Sequence, residues 1–417
     1  MAKRKSKTQK KVEKEVKKQA KKHPVATVLV LVAVLTIAAV GGFLLYKYGY
    51  FDGLINPNHF SSQESSENSS LPEQEPSSST NSQENDGFDE LSFHFISAGK
   101  SGTLYNGDCI YIKAGETDIL IDSGKVQSNY VAIAAEINKH CADNKLEYVI
   151  ATHTDADHLG GFIGTNKKGI LYSYNVETII DFARTNKTNP TSGSIYGQYL
   201  AARDYAVSKG ATHYTALECY KNQNGAKRSY DLGKGITMEV LYQDFYEKNS
   251  GDENNYSVSL LFKQGEKKML FTGDLEKDGI SSLLRKNSIG TVDLFKAGHH
   301  GSSNANTTEL LSTVQPKTIC VCCVAGSNEY TATNANTMPY QVSIDNWAKY
   351  TKDVYVTNFA QSTGVVKNIG PGGELNGTIS VHYSSNGEKT VTGSNNSLTL
   401  RKTSWMKENR TMPEEWL

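Results

Sequence analysis

The chain has 417 residues and carries 44 Lys/Arg against 44 Asp/Glu, so its formal net charge at pH 7 is zero. Twelve of these basic residues and eleven of the acidic ones precede residue 91, which leaves 32 against 33 over residues 91–417. This balance lacks the basic excess that usually marks a nucleic-acid-binding surface. It disfavours long DNA as a partner and is compatible with a short nucleotide.

The first 46 residues predict a membrane anchor that follows a basic tail. Residues 1–24 contain eleven Lys/Arg, two Glu and no apolar stripe, which is typical of a solvated cytoplasmic tail. Residues 25–46 run for 22 residues without a charge, enough for a helix to cross a bilayer core of about 30 Å. A cleaved signal peptide is the alternative, although its apolar region would be shorter. The positive-inside rule then places the rest of the chain outside the cytoplasm.

Two further regions follow the anchor. Residues 47–90 are rich in Ser, Asn, Gln and Glu, and they cannot bury enough apolar surface to offset chain entropy. They are therefore predicted to be a disordered linker. Residues 91–417 contain apolar strand-like runs throughout and are long enough for one large domain.

The first part of this domain shows short β-rich runs before a helical pattern. LSFHFISAG, CIYIKAG and TDILIDSG predict three successive strands, and NYVAIAAEINKHCADN has apolar residues at helical spacing. LEYVIATH predicts another strand, and LGGFIG a turn into a helix.

Later runs end in polar residues. YSVSLLFKQGEKKMLFTGD predicts a hairpin whose second strand stops at Asp274, and TVDLFKAGHHGSS predicts a strand that stops at His299 and His300. With His153 after LEYVIA, three strands end in potential ligands. Sites in α/β folds form where such strand ends converge.

The densest polar cluster is THTDADHLGG, residues 152–161. Carboxylates and imidazoles packed this closely repel one another and lose solvation unless a cation or water neutralises them. The four side chains His153, Asp155, Asp157 and His158 therefore indicate a metal site.

These motifs resemble a known family. THTDADHLGG is similar to the H-x-[HD]-x-D-H motif of the metallo-β-lactamase superfamily, with Asp155 where many members have a second histidine. ILIDSG, FTGD and FKAGHHGSS follow in an order that resembles the soluble hydrolase domain of ComEC-type competence proteins, over about residues 91–385. The early loop departs from that pattern, since Ser97 stands where an acidic residue is expected. The many-helix channel of full competence proteins is also missing, which argues against DNA import.

The resemblance implies an α/β fold, a metallo-β-lactamase-like αβ/βα sandwich, with two metal ions between the sheet edges. By motif position, His153 and Asp155 would bind one metal, Asp157 and His158 the other, and Asp274 both. Asp157 would also orient a hydroxide activated by the two metals. Histidine ligands suit zinc and carboxylates suit harder ions, so zinc is expected first and manganese second.

Three further assignments are open in the sequence. The closing ligand would be His299, nearest the strand end, or His300, whose following Gly-Ser fits an alternative H-x-S pattern. Asp122 in IDSG would either hold a ligating histidine by a hydrogen bond or only cap its strand. His213 lies in the interval where the superfamily has another histidine ligand, but its context favours a packed residue.

The implied function is a membrane-anchored, extracytoplasmic, metal-dependent hydrolase. A carboxylate-rich two-metal site favours a phosphodiesterase acting on nucleic acid or on phosphorylated envelope material. The alternatives are a hydrolase of a lactam, lactone or thioester, and a non-catalytic adaptor domain stabilised by metal.

The sequence also gives predictions for a run of cysteines and for residues 181–230. The cysteines of KTICVCCVAG are predicted to be buried strand thiols rather than metal ligands, with disulfide pairing left open. Residues 181–230 are expected to form either a mobile lid over the site or a surface insertion.

Overall fold

The computed structural model describes residues 87–98, 106–331, 333, 336–360 and 375–417. The predicted tail, the predicted anchor and residues 47–86 of the predicted linker lie outside this part of the chain. Within it, no helix has the length and apolar character that crossing a bilayer requires.

Strands and helices alternate along the described residues. The strands are β1 (Leu91–Phe95), β2 (Ile110–Ala114), β3 (Thr117–Ile121), β4 (Lys145–Ile150), β5 (Asn175–Asp181), β6 (Thr212–Thr215), β7 (Ser229–Gly233), β8 (Ile236–Leu241), β9 (Ser259–Gln264), β10 (Lys267–Phe271), β11 (Leu294–Lys296), β12 (Ile319–Ala325), β13 (Val354–Phe359), β14 (Ile379–Tyr383) and β15 (Lys389–Gly393). The α-helices are α1 (Tyr130–Ile137), α2 (Ala156–Ile163), α3 (Ile170–Ser173), α4 (Ile195–Ser208), α5 (Ala216–Lys221), α6 (Lys277–Lys286), α7 (Thr308–Val314), α8 (Gln341–Ala348) and α9 (Ser404–Asn409).

The strands form two mixed sheets. The first has the order β15-β14-β1-β2-β3-β4-β5-β6, and the second has the order β13-β12-β11-β10-β9-β8-β7. Strands β3 to β6 are parallel in the first sheet, and β10 to β13 are parallel in the second. Parallel neighbours bring their carboxyl ends to one edge, so residues that follow β4, β10 and β11 can meet.

The two sheets pack face to face through aromatic side chains. Phe93 of β1 stacks on Phe271 of β10, with ring centroids 5.4 Å apart, and meets Phe262 of β9 edge-on at 5.6 Å. All three rings are almost fully buried. Burial of rings this large supplies much of the hydrophobic free energy that holds the sheets together.

Helices cover the outer faces of both sheets. Alternate residues of β10 show this, because Phe271 joins the inner core whereas Leu270 packs in a second core with Ile280 and Leu283 of α6. A strand buried on both faces reads as a continuous apolar run, and β12, ICVCCVA, is buried at every position. Helices α1, α2 and α4 bury side chains against the first sheet.

The result is the predicted αβ/βα sandwich, and most of the predicted elements are confirmed. KQGEK does connect an antiparallel hairpin, β9 with β10. The six cysteines are free and buried, as expected for packed thiols.

Two sequence expectations are wrong in detail. LGGFIG is not a turn into a helix, because α2 already begins at Ala156 and contains both glycines. Residues 181–230 are not one long loop, since they contain α4, β6 and α5, which bury apolar residues against the first sheet. The stretch between β5 and α4 is irregular, and its Lys187 reaches Asp155.

Candidate metal centre

Three strand ends deliver the candidate ligands to one place. His153 follows β4 of the first sheet, while Asp274 and His300 follow β10 and β11 of the second. The centre therefore lies where the carboxyl ends of the two sheets meet.

The cluster THTDADHLGG forms a loop and the start of α2. Asp155 precedes the helix, and Asp157 and His158 lie in its first turn. The double glycine lets this helix approach the loop after β3, because a Cβ on Gly160 would lie 2.3 Å from the carbonyl oxygen of Lys125, and one on Gly161 would lie 2.5 Å from that of Ser123. No larger residue fits there without a shift of the backbone.

Asp274 is the centre of the arrangement. Its Oδ2 lies 3.1 Å from Nε2 of His158 and 3.1 Å from Nε2 of His300. Potential ligand atoms of His153, His158 and Asp274 lie within 4.8 Å of one another, and so do those of Asp157, His158 and His300. Asp274 thus contacts histidines of both groups, which is compatible with the bridging role that stays a prediction.

The three histidines share one orientation. Nδ1 of His158 donates to Asp122, Nδ1 of His300 donates to the carbonyl oxygen of Cys322 at 2.9 Å, and Nδ1 of His153 lies 3.1 Å from the Thr152 hydroxyl. Each ring therefore directs Nε2 inward. Metal-binding histidines usually have one nitrogen fixed by the protein in this way.

His299 and His300 lie differently although they are adjacent. Both have left-handed backbones, with φ of 43° and 53°, which is rare and strained for residues other than glycine. This turn buries His300, whereas the side chain of His299 stays 19% exposed and its Nε2 lies 3.9 Å from Asp274 Oδ2. Nδ1 of His299 faces Glu276 at 3.2 Å. The geometry favours His300 over His299 as the closing ligand.

Asp155 lies at the rim of the centre. Its Oδ2 is 3.7 Å from Nε2 of His153, its side chain is 38% exposed, and Lys187 pairs with its other oxygen at 2.7 Å. Asp155 thus offers one oxygen inward and is fixed by a lysine from outside.

Asp122 combines both of the roles that the sequence left open. Its Oδ1 accepts a hydrogen bond from the Thr152 backbone at 2.8 Å, which ties the end of β3 to the cluster loop. Its Oδ2 accepts from Nδ1 of His158 at 2.7 Å. The same carboxylate fixes both the loop and a candidate ligand.

Three site residues were missed by sequence reasoning. Asp108 and Lys296 form a buried ion pair, and Lys296 also lies 3.5 Å from Oδ1 of Asp274. Asp108 in turn lies 3.2 Å from Nδ1 of His300. Tyr330, from the loop after β12, donates its hydroxyl to Oδ2 of Asp157.

Only one of these three had a sequence signal. Asp108, in NGDC, lies two residues before β2, much as the other candidate acids lie next to the ends of strands or helices. Lys296 and Tyr330 had no local pattern that distinguishes them from packed or surface residues.

The buried charges shift one another strongly. Burial by itself lowers the pKa of His158 and of His300, yet nearby carboxylates, Asp274 foremost, hold both values well above the usual range. Burial likewise raises the pKa of Asp274, but His300, His158 and Lys296 outweigh it and hold that pKa well below normal. In this arrangement, the positive charges of protonated His158 and His300 offset the negative charge of the neighbouring aspartates.

The donor set fits divalent cations. Nε2 of His153 is buried and has no hydrogen-bond partner among the described residues, which is costly for a polar atom unless it binds something. Nε2 of His300 is also buried and lies close to Asp157 and Asp274, but neither contact has the geometry of a hydrogen bond. Cations at the centre would coordinate these nitrogens and replace the imidazole protons. Imidazole suits zinc and the aspartates suit harder ions, so the residues are compatible with either.

His213 lies in a separate interaction. Its Nε2 is 2.8 Å from Oδ1 of Asp181, a carboxylate that also pairs with Arg203 at 3.2 Å. This agrees with the expectation of a packed residue.

Comparison with known proteins agrees with the fold and the motifs. Residues 102–226 match the sequence profile of the metallo-beta-lactamase superfamily. ComE operon protein 3 of Bacillus subtilis (strain 168) is 36% identical over 184 residues, which are 44% of this chain and 20% of that protein. Recombination protein 2 of Haemophilus influenzae is 34% identical over 171 residues, 41% of this chain and 17% of that protein.

The chain thus spans about a fifth of the length of these curated relatives. Among solved structures, the metallo-beta-lactamase fold protein YhfI from Bacillus subtilis covers 65% of this chain and 97% of its own, at 9% identity and a TM-score of 0.38. Residues 102–226 are thus similar to the metallo-β-lactamase superfamily, and the chain resembles competence proteins of the ComEC type over part of its length.

Proposed function

We propose that this chain is a metal-dependent phosphodiesterase. The observation that carries the proposal is the common orientation of His153, His158 and His300, in which protein groups hold each Nδ1. Nε2 of His158 and of His300 faces the carboxylate of Asp274, and Nε2 of His153 faces Asp155. Preorganised imidazoles around one central carboxylate are suited to binding cations rather than to packing a core.

The ligands that we propose are His153 and Asp155 for one cation, Asp157, His158 and His300 for the other, and Asp274 for both. Zinc is the first candidate and manganese the second. Two such cations would lower the pKa of water and stabilise the charge that develops on phosphoryl oxygens. An aspartate-rich donor set suits that charge distribution better than a purely imidazole set does.

The chain's own residues would position the reactants. Oδ2 of Asp157 lies 3.2 Å from Nε2 of His300 and accepts a hydrogen bond from the Tyr330 hydroxyl, which would leave its other oxygen to orient an attacking water. The buried Lys296 contacts Asp274, and its ion-pair partner Asp108 contacts His300, so the pair fixes both side chains. Exposure of Asp155 and Tyr330 at the rim gives a substrate a route to the buried groups.

The substrate class is the phosphodiester of a short nucleotide, a nucleic acid end or phosphorylated envelope material. The nearly equal numbers of acidic and basic residues after residue 90 favour the smaller substrates.

The cellular placement that we propose follows from residues 25–46. That apolar segment would anchor the chain with its basic tail inside and the hydrolase domain outside the cytoplasm. The six free thiols are buried and therefore react slowly, so they are compatible with an oxidising compartment but do not argue for it. Alkaline phosphatase fused to the carboxyl terminus in a bacterial host should be active, whereas an inactive fusion would place the domain inside.

Activity is tested on the full chain in detergent, stripped of metal and reloaded with zinc or manganese. Wild type should bind about two metal ions and cleave bis(p-nitrophenyl) phosphate, whereas Asp157→Asn should lose about 100-fold or more in kcat. Asp204→Asn, an exposed carboxylate on α4, is the matched control and should retain activity.

Other outcomes would redirect or end the proposal. Cleavage of a lactam, lactone or thioester without diester cleavage would make the chain a carbonyl hydrolase. Bound metal without any cleavage would favour the adaptor role, and absence of bound metal would exclude the enzyme.

A further inference from the structure

Tyr330 lies at the rim of the metal centre. Its side chain remains 42% exposed, although its hydroxyl reaches inward to Oδ2 of Asp157. Its ring stacks nearly parallel on His300, with centroids 5.8 Å apart and planes 6° apart. One face of the centre is therefore covered by an aromatic ring that also borders solvent.

Neighbouring contacts hold Tyr330 in this place. The adjacent Glu329 pairs with Lys125 at 2.7 Å, and Nζ of Lys125 lies 5.8 Å from the centroid of the Tyr330 ring. Lys125 belongs to the loop after β3 that also carries Asp122. The ion pair thus joins the loop after β12 to the loop after β3 across the mouth of the centre.

The chemistry of the hydroxyl differs from that of its surroundings. Asp155, Asp157 and Asp274 are acceptors when ionised, and the nearby histidine Nε2 atoms are directed at them. Tyr330 adds a neutral donor that can turn between a carboxylate and an incoming anion. A donor placed beside developing negative charge stabilises that charge without the large desolvation cost of a buried cation.

We propose that Tyr330 is a substrate-contacting residue whose hydroxyl donates a hydrogen bond to a phosphoryl oxygen. This inference rests on the proposed phosphodiesterase function and extends it by assigning a specific donor to the substrate. Before substrate binds, the hydroxyl donates its hydrogen bond to Asp157. The phosphoryl oxygen then replaces Asp157 as the acceptor.

The test compares Tyr330→Phe with wild type as metal-loaded full chains. Removing only the hydroxyl should keep the metal content and the thermal midpoint and lower kcat for bis(p-nitrophenyl) phosphate by about 100-fold. Inorganic phosphate, measured by calorimetry, should bind about tenfold more weakly. Tyr205→Phe, a tyrosine of similar exposure on α4, should match wild type in every measurement.

Each contrary result has a distinct meaning. Loss of metal from Tyr330→Phe would show that the hydroxyl only holds Asp157, and a kcat within twofold of wild type would remove it from catalysis. Either would overturn the inference and leave the phosphodiesterase intact. If wild type cleaves no diester, the proposed function fails, and the affinity for inorganic phosphate alone tests the role of Tyr330. Equal phosphate affinities of wild type and Tyr330→Phe, or no phosphate binding to either chain, would overturn the inference.

Discussion

Asp122 and His158 are joined by a hydrogen bond of 2.7 Å between Oδ2 and Nδ1, and the opposite nitrogen of the same ring lies 3.1 Å from Asp274. The imidazole is thus held between a carboxylate that fixes it and a carboxylate at the centre. Since the first contact sets which nitrogen faces inward, Asp122 should control metal affinity without being a ligand itself.

Asp122→Asn tests this control. The amide can still accept from the Thr152 backbone, but its NH₂ group cannot accept the proton of His158, so the ring loses its fixed tautomer. Metal affinity, measured by competition with a chelator, should fall by about 10- to 100-fold.

Asp181→Asn is the matched control, because Asp181 holds His213 at 2.8 Å in the same way outside this centre. It should leave metal affinity at the wild-type value. Equal affinities for Asp122→Asn and wild type would show that His158 is oriented by packing alone.

His300 and His299 should differ when each is replaced by alanine. His300 is buried with Nε2 near both Asp157 and Asp274, whereas His299 faces Glu276 and remains partly exposed. Mass spectrometry of the purified chains should find about one metal ion fewer per chain in His300→Ala and wild-type content in His299→Ala. The reverse pattern would identify His299 as the closing ligand.

Gly161→Ala should disturb the centre through the backbone. The added methyl group would lie 2.5 Å from the carbonyl oxygen of Ser123, the residue after Asp122, and α2 would have to move outward. We expect the free energy of unfolding to fall by about 1–3 kcal/mol in urea titrations, because the packing offers no space.

Gly193→Ala provides the comparison for this substitution, since nothing lies within 4 Å of a Cβ there. It should change the free energy of unfolding by less than about 0.5 kcal/mol. Similar losses in both variants would attribute the effect to alanine itself rather than to the contact with Ser123.

The sequence predicts the frame of this centre well, because the relevant patterns are local. Apolar runs that stop at His153, Asp274 and His300 mark strand ends, and the strand ends do converge. A helix beside the cluster is predicted as well, although α2 begins earlier than the sequence suggests and already includes Asp157 and His158, both buried, in its first turn. Such features depend on neighbours within a few positions.

The contacts that complete the centre are not local. Tyr330 meets Asp157 across 173 positions, and Lys296 meets Asp108 across the interface between the sheets. Lysine is more often exposed than buried, so the run DLFKAG does not indicate that Lys296 is buried. The ion pair with Asp108 offsets the cost of burying its charge, and that pairing exists only in the folded chain. The choice between His299 and His300 likewise depended on a left-handed turn that residue types do not indicate.

His94 provides a prediction for stability rather than activity. Burial, followed by the positive charges of His140, His382 and Lys139, lowers the pKa of His94 from 6.5 to about 3. Its ring nitrogens lie 3.0 Å from the hydroxyl of Ser92 and 2.8 Å from that of Ser380, so the neutral ring is well accommodated in the folded chain.

Protonation of His94 should therefore favour unfolding. Between about pH 6.5 and pH 3, the unfolded chain binds a proton at this position that the folded chain does not. The stabilisation is fully present above pH 6.5 and is lost as the pH falls toward 3, at up to about 1.4 kcal/mol per pH unit. Urea titrations of wild type and His94→Gln over this range, both in chelator so that metal release adds nothing, should give free energies that diverge with this slope. Parallel curves would mean that His94 accepts a proton without leaving its buried position.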